Sequence, residues 1–368
     1  MPNRDEREPP PAPALAPSPS PETEPEDSSP TDGFYSEAPD DVVDDAGTDA
    51  TEGGERRPIA HPLDGWTEQQ IEEALLTDPE SLGPMSIGSP NGGKLVNGVR
   101  MPEGEGWEII GAPYVWGTQE TIDALVHCIE RVREQFPEGT HPLYIGHISR
   151  EGGGYLTPHR SHQAGRDADV SYYYLAGKRW FARATAANLD RARTWAFVRA
   201  LITETDVELI LIDAGIQRLL REYAEQIGED SDWLDSVFRG GSGRRALIRH
   251  ASGHATHIHV RFYSPVARET ARRVAPAMIA HQMIEPPQVF VWHRAKKGDT
   301  LGKLARRYGT TVKAIQRANG LRSTVIFAKK SYRIPRPGAV APRPGPVTVP
   351  ERRLPPPGTP AAEAISGG

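Results

Sequence analysis

Residues 253–262 read GHATHIHVRF, and residues 158–170 read PHRSHQAGRDADV. The end of the first stretch predicts a β-strand, in which successive side chains point to opposite faces. His257 and His259 therefore share one face of the predicted strand. By the same argument, Asp167 and Asp169 share a face if their segment is extended. Two distant stretches of the chain thus each offer a pair of imidazole or carboxylate groups.

Histidine and carboxylate are the metal ligands that this composition favours. The chain has twelve His but one Cys, Cys128, which excludes a cysteine-based zinc site and an intramolecular disulfide framework. A catalytic zinc site takes three protein ligands of this kind and keeps a fourth position for water, whose pKa falls toward about 7. We therefore predict that the two stretches bind a metal. The alternative is a set of surface or isolated core histidines.

The order of these motifs resembles that of the LAS metallopeptidases. The spacing His162-x6-Asp169, followed far downstream by His257-x-His259, is similar to the signature of that superfamily. With SIGSPNGGKLVNGVRMP at residues 86–102, the chain is similar over roughly residues 80–265 to the penicillin-insensitive murein endopeptidases, the MepA-type branch. The resemblance implies one Zn²⁺ and cleavage of the peptidoglycan cross-link between D-alanine and meso-diaminopimelate.

The resemblance also implies roles for individual residues. The implied zinc ligands are His162, Asp169 and His259. His257 is then the histidine that does not bind zinc, and it acts as general base or oxyanion stabiliser. His254 is the second candidate for proton transfer. His159 matches a further active-site histidine of the family.

Other residues near the motifs are interpreted from the sequence itself. Asp167 is a candidate for orienting a ligand imidazole. The alternative, a solvated or turn-forming aspartate, stays open. His250 is interpreted as a bystander, and six other histidines, among them His147, receive no role in the site. Cys128 lies beside the apolar stripe of a predicted helix and is interpreted as a core residue.

A small basic unit follows a proline hinge near residue 286. Its sequence HRAKKGDTLGKLARRYGTTVKAIQRANGL, residues 293–321, resembles a LysM domain of order β-α-α-β. The resemblance implies binding of N-acetylglucosamine-containing glycan in a groove formed by Gly298, Asp299, Thr300, Leu301 and Asn319. Residues 288–335 hold 12 Lys and Arg against 1 Asp, a net charge of +11. This charge also admits a nonspecific attraction to any polyanion, nucleic acid included, but we expect wall glycan.

Composition divides the chain into four parts. We predict a disordered, acidic, Pro-rich arm over 1–60, a zinc peptidase domain over 61–287, a LysM domain over 288–336 and a disordered Pro-rich tail over 337–368. The arm holds 4 Lys and Arg against 16 Asp and Glu. The predicted fold class is α+β, with a small antiparallel sheet that carries the zinc site.

Local signals place the main elements. We predict helices that begin after Thr67 and Thr118, a third over about 189–203, and buried strands at LYIGHIS (143–149) and VELILID (207–213). The sequence contains no run of 18 apolar residues, so we expect no transmembrane helix. The first residues also lack the pattern of a signal peptide. The expected location, periplasm or cell envelope, is inferred from the function alone.

Two other functions remain open at this stage. The chain could be a wall-anchoring protein with a degenerate zinc site, or a peptidoglycan carboxypeptidase or amidase. The complete set of ligands together with His257 favours an enzyme over the anchoring protein, whereas the choice between endopeptidase, carboxypeptidase and amidase stays open.

Overall fold

The computed structural model describes residues 55–176, 181–241, 243–285, 289–336 and 344–358. The helices in these ranges are α1 Glu68–Thr77, α2 Gln119–Gln135, α3 Arg191–Glu204, α4 Ala214–Gln226, α5 Ser231–Phe238, α6 Pro265–Ala280, α7 Leu301–Tyr308 and α8 Val312–Ala318. The strands are β1 Arg56–Pro58, β2 Met85–Ser89, β3 Gly92–Val96, β4 Val99–Arg100, β5 Trp107–Ile109, β6 Trp116–Gly117, β7 Leu143–Ile145, β8 Asp167–Ser171, β9 Val207–Leu211, β10 Gly240–Gly241, β11 Arg244–Arg245, β12 Ile248–Arg249, β13 His257–Phe262, β14 Phe290–Arg294, β15 Ser331–Pro335 and β16 Thr348–Pro350. None of the described helices combines the length and hydropathy needed to cross a membrane.

The largest sheet has six strands in the order β12-β9-β13-β8-β7-β5. Its central strands pair antiparallel, whereas β12 with β9 and β5 with β7 pair parallel. The prediction of an antiparallel sheet was therefore wrong at both edges. The two edge pairs are parallel because a long connection that contains helices joins their strands, whereas a short hairpin would make them antiparallel. The crossovers contain α2 on one side and α4 with α5 on the other.

Helix α2 confirms the predicted amphipathic helix. Thr118 caps it by accepting a hydrogen bond from the backbone N–H of Thr121. Its apolar residues Ile122, Leu125, Ile129 and Val132 are buried in the main core, together with Cys128. On β13, the side chains opposite the imidazoles, such as Ile258 and Val260, belong to the same core. The core thus fixes one face of β13 and leaves the other face for polar groups.

The segment before this core forms a helix and a hairpin. Thr67 caps α1, as the sequence predicted, and the structure shows that it forms a capping box with Gln70. Strands β2 and β3 pair antiparallel over residues 85–96. Leu75, Met85 and Val274 of α6 lie in one smaller core cluster. Burial of these apolar side chains therefore joins the hairpin, α1 and α6.

Residues 290–335 form the predicted β-α-α-β unit with a core of its own. Strands β14 and β15 pair antiparallel. Thr300 and Thr311 cap α7 and α8 by accepting backbone hydrogen bonds. Leu304, Ile315 and Ile334 are fully buried in its core cluster. The order of elements agrees with the prediction.

Parts of both predicted disordered segments are ordered. β1 pairs antiparallel with β16, and we call this pair with residues 351–353 the clasp. Arg57 of β1 and Arg352 both bind Asp206, at 2.5 and 3.0 Å. The prediction failed here because composition does not report pairing between segments almost 300 residues apart. The rest of the predicted arm, residues 1–54, lies outside the described residues.

Arg353 joins the clasp to the rest of the domain by hydrogen bonds. Trp233 Nε1 donates to the carbonyl of Arg353 at 2.8 Å. The Arg353 guanidinium donates to the carbonyls of Ser236 and Arg245. Val349 is fully buried. Residues 348–353 therefore pack as an integral part of the domain that contains the large sheet.

Candidate metal centre

Two neighbouring strands bring the predicted residues together. In the antiparallel pair β8/β13, His259 lies opposite Asp169, and Arg261 lies opposite Asp167. His257 lies opposite Ser171 in the next row. The alternation of side chains therefore puts these groups on one face of the sheet, as the sequence predicted for each strand separately.

His162 reaches the same face from a loop. Its backbone has a φ of +62°, a left-handed conformation that is costly for a residue other than glycine. Two contacts fix it: the ring Nδ1 donates to the carbonyl of Ile148 at 2.9 Å, and the backbone N–H donates to Asp167 Oδ2 at 3.2 Å. With Nδ1 protonated, the lone pair of Nε2 points at the strands. The strained loop thus serves to aim one imidazole nitrogen.

Three donor atoms converge at this point. Nε2 of His162 lies 3.3 Å from Oδ1 of Asp169 and 3.3 Å from Nδ1 of His259, and the last two atoms are 3.0 Å apart. A tetrahedral zinc ion with bonds of about 2.0–2.1 Å holds its ligand atoms about 3.3 Å apart. All three side chains are almost completely buried. Their spacing therefore fits a single tetrahedral cation.

A second carboxylate supports His259 from behind. Asp167 Oδ1 lies 3.2 Å from His259 Nε2, and it also accepts a hydrogen bond from Arg261 Nε at 2.6 Å. A proton on His259 Nε2, donated to Asp167, leaves the Nδ1 lone pair directed at the other two donor atoms. Metal-binding histidines commonly hold such a carboxylate partner. Asp167 occupies the supporting position that the sequence suggested, and Arg261 is a partner that the sequence analysis missed.

The charges of the site favour an added cation. Burial opposes the protonated form of His259, but Asp167 and Asp169 outweigh it and raise the pKa of His259 to about 10. Burial also opposes ionisation of Asp169, yet His162 and His257 hold its pKa well below the ordinary value. Burial opposes ionisation of Asp167 too, but Arg261, His259 and His162 together outweigh it and lower the pKa of Asp167. The buried carboxylates therefore stay ionised and stabilise positive charge beside them.

Two further histidines lie next to the donor atoms. Nε2 of His257 is 3.9 Å from Oδ1 of Asp169, and its Nδ1 is 3.0 Å from the hydroxyl of Thr256. The ring of Phe181 stacks on His257 with centroids 5.1 Å apart. The ring of His254 lies beside that of His257, with centroids 4.7 Å apart. The site thus contains imidazoles adjacent to, but outside, the closest set of donor atoms.

His159 offers a competing ligand set. The ligand atoms of His159, His162 and Asp169 all lie within 4.8 Å of one another. However, Nδ1 of His159 is 3.7 Å from Asp169 Oδ2, a longer separation than any within the set that contains His259. The tighter spacing favours His259 as the third ligand. His162 and Asp169 belong to both sets.

His147 is a member of the cluster to which the sequence analysis gave no role. Its Nδ1 lies 2.8 Å from Nε2 of His159. Burial and the neighbouring His159 lower the pKa of His147 to about 4. His147 lies two residues after Ile145, the last residue of β7, and within the stretch 143–149 that the sequence predicted as a buried strand. A histidine in a buried strand was the signal that could have identified it. His250, by contrast, accepts a hydrogen bond from the Ala214 backbone N–H at the start of α4.

The five predicted glycan-binding residues have structural contacts within the LysM unit. Asp299 Oδ2 accepts from His293 Nε2 and from the Lys296 backbone, and Thr300 caps α7. Leu301 is buried, and the Asn319 side chain bonds the Arg333 backbone. Gly298 has a φ of +87°, which a glycine tolerates. The side chains of Asp299, Thr300 and Asn319 therefore stabilise the loops of the unit, and ligand binding by this region stays a prediction.

Comparison with known proteins agrees with this architecture. Residues 86–282, more than half of the chain, match the family model described as penicillin-insensitive murein endopeptidase. The chain therefore belongs to the penicillin-insensitive murein endopeptidase family. Residues 293–335 match the LysM domain. The chain is similar to the penicillin-insensitive murein endopeptidase of Haemophilus influenzae, at 26% identity over 239 residues that cover 59% of this chain and 75% of the relative.

Proposed function

We propose that the protein is a zinc-dependent peptidoglycan endopeptidase that hydrolyses the D-alanyl–meso-diaminopimelyl cross-link. The observation that carries the proposal is the triangle of donor atoms from His162, Asp169 and His259, with sides of 3.0–3.3 Å. Membership of the murein endopeptidase family supports peptidoglycan as the substrate. The supporting contact of Asp167 with His259 agrees with a metal-binding imidazole.

Zinc held by these three residues would supply a Lewis acid and a water molecule with a pKa lowered toward about 7. The protein's own residues supply orientation and proton transfer. His257, held by Thr256 and Phe181, directs Nε2 toward the donor atoms, where it can exchange a proton with the substrate. His254 contacts the ring of His257 and is the second group for this role. No serine or cysteine nucleophile takes part in this scheme, so we expect the enzyme to be insensitive to β-lactams.

The LysM domain gives the proposed enzyme a second hold on its substrate. We expect it to bind N-acetylglucosamine-containing glycan, which raises the local concentration of cross-links. The net charge of +11 over residues 288–335 would add attraction to the carboxylates of the stem peptides. Because this substrate lies outside the cytoplasmic membrane, we expect the protein to act in the periplasm or cell envelope.

Mass spectrometry of the products tests the proposal. The zinc-loaded protein is incubated with purified peptidoglycan, and the released muropeptides are compared with those after chelation and zinc restoration. The expected result is loss of D-alanyl–meso-diaminopimelyl cross-links with the zinc-loaded protein, no loss after chelation, and renewed loss when zinc is restored. His162→Ala should lack both zinc and activity, whereas His127→Ala, which removes an exposed histidine paired with Glu204, should keep both.

Other product patterns would replace the proposal. Release of terminal D-alanine would indicate a carboxypeptidase, and separation of the stem peptide from the glycan would indicate an amidase. Binding to peptidoglycan without any released product would indicate a wall-anchoring protein.

A further inference from the structure

We propose that His147 is a positioning residue for the metal centre: it donates a hydrogen bond to His159 and thereby directs the other nitrogen of His159, as N–H, toward Asp169. His159 then supports the ligand Asp169 and is not itself a ligand. The inference rests on the proposed function, because it assigns a task to a residue around that site.

The first support is a polar atom that the rest of the site leaves unsatisfied. Oδ1 of Asp169 contacts His162 and His259, but Oδ2 accepts no hydrogen bond within the described part of the chain. Asp169 is completely buried, and such an atom normally has a partner. The nitrogen that faces Oδ2 is Nδ1 of His159, at 3.7 Å. His159 is therefore placed to serve the second carboxylate oxygen.

The second support is the direction of the hydrogen bond between the two imidazoles. Their nitrogens are 2.8 Å apart, so one carries the proton and the other accepts it. If neutral His159 carried its proton on Nε2, its Nδ1 lone pair would face the Asp169 carboxylate. Two acceptors would then oppose each other in a buried site. With the proton on His147 instead, the Nδ1–H of His159 faces the carboxylate.

His147 is itself held in place. Its backbone carbonyl accepts a hydrogen bond from the backbone N–H of Asp169 at 2.9 Å. Its ring meets the ring of Tyr114 edge-on, with centroids 5.4 Å apart. His147 therefore contacts Asp169 through the backbone and through His159, and a displacement of its ring would reach the carboxylate.

The test compares variants of residue 147 in the full-length protein. Leucine has no hydrogen-bonding atom, whereas the side-chain amide of asparagine can place an N–H near the position of Nδ1. The zinc dissociation constant is measured by competition with a chromogenic chelator, and kcat and KM are measured on a soluble cross-linked muropeptide. Melting of the zinc-free variants shows that each is folded.

We expect His147→Leu to weaken zinc binding by about 10- to 100-fold, the usual effect of losing a partner behind a ligand. His147→Asn should recover most of this loss. His159→Ala should be as weak as His147→Leu, and adding His147→Leu to it should change little, because His147 acts through His159. kcat should fall more than KM rises, since no contact with substrate is removed.

Three results would overturn the inference: wild-type zinc affinity in His147→Leu, equal loss in His147→Asn, or an undiminished further loss in the His159→Ala background. A wild-type protein that binds zinc but releases no muropeptide would instead reject the proposed function. The zinc affinities would still decide the role of His147 in that case.

Discussion

Replacing Arg261 by methionine removes the guanidinium that neutralises Asp167. Arg261 Nε lies 2.6 Å from Asp167 Oδ1, and both side chains are at most 5% exposed. The variant leaves a buried carboxylate that still contacts His259 Nε2 and the His162 backbone N–H. Removing one partner of a buried ion pair costs about 3–5 kcal/mol. Because the protonated imidazole of His259 still faces Asp167, we expect the free energy of unfolding to fall by up to about that amount.

Urea denaturation of the zinc-free protein measures this loss. The matched control is Arg131→Met, because Arg131 pairs with Glu134 and Glu204 on an exposed surface. Such a pair contributes about 0–1 kcal/mol. The double variant Arg261→Met with Asp167→Asn should recover part of the stability, because no unpaired charge remains.

The same variants separate stability from metal binding. Asp167→Asn keeps an oxygen that can accept from His259 Nε2 but loses the negative charge, so zinc should bind more weakly, by about 10- to 100-fold. A loss of stability below about 1 kcal/mol in Arg261→Met would refute the reasoning, as would a double variant less stable than Arg261→Met alone. Either result would mean that Asp167 does not depend on Arg261 for its charge.

Four further predictions concern the proton-transfer group, the LysM domain, the clasp and pH. His257→Ala should bind zinc normally but lose turnover on cross-linked muropeptides, and loss of zinc in this variant would make His257 a ligand. Replacing residues 289–336 by a flexible linker should weaken sedimentation with intact sacculi and spare cleavage of soluble muropeptides, whereas equal sedimentation would reject the tether. Truncation after residue 336 should lower the melting temperature, because it removes Val349 and Arg353 of the clasp. Burial opposes ionisation of Glu269, but Arg272 and Arg273 outweigh it and lower its pKa to about 2, so this carboxylate stabilises the fold above pH 4.5 and the stabilisation is lost toward pH 2. Glu269→Gln should therefore melt at a lower temperature at pH 7, with a difference that shrinks as the pH falls from 4.5 to 2, and a difference independent of pH would contradict this account.

The sequence predicts those parts of the site that depend on local periodicity. His257 and His259 share a face because they lie two residues apart on a strand, and β13 confirms this. The caps at Thr67 and Thr118 follow from side-chain oxygens placed before an apolar repeat, and both helices begin there. Each of these signals lies within a few residues of the feature it predicts.

The missed features depend on contacts between distant segments. Arg261 and His147 enter the site through pairing with Asp167 and His159, and neither partner is identifiable from the spacing along the chain. The parallel edges of the sheet depend on how helices cross from one strand to another. The clasp joins β1 to β16, and Pro-rich composition near these segments indicates disorder unless the pairing is known.

The metal ligands themselves are tested most directly in a crystal of the zinc-loaded protein, with anomalous scattering recorded at the zinc absorption edge. The account predicts one zinc peak about 2.0–2.2 Å from His162 Nε2, His259 Nδ1 and a carboxylate oxygen of Asp169, with His159 outside that distance. A peak bound by His159 in place of His259, or a peak away from these residues, would contradict it.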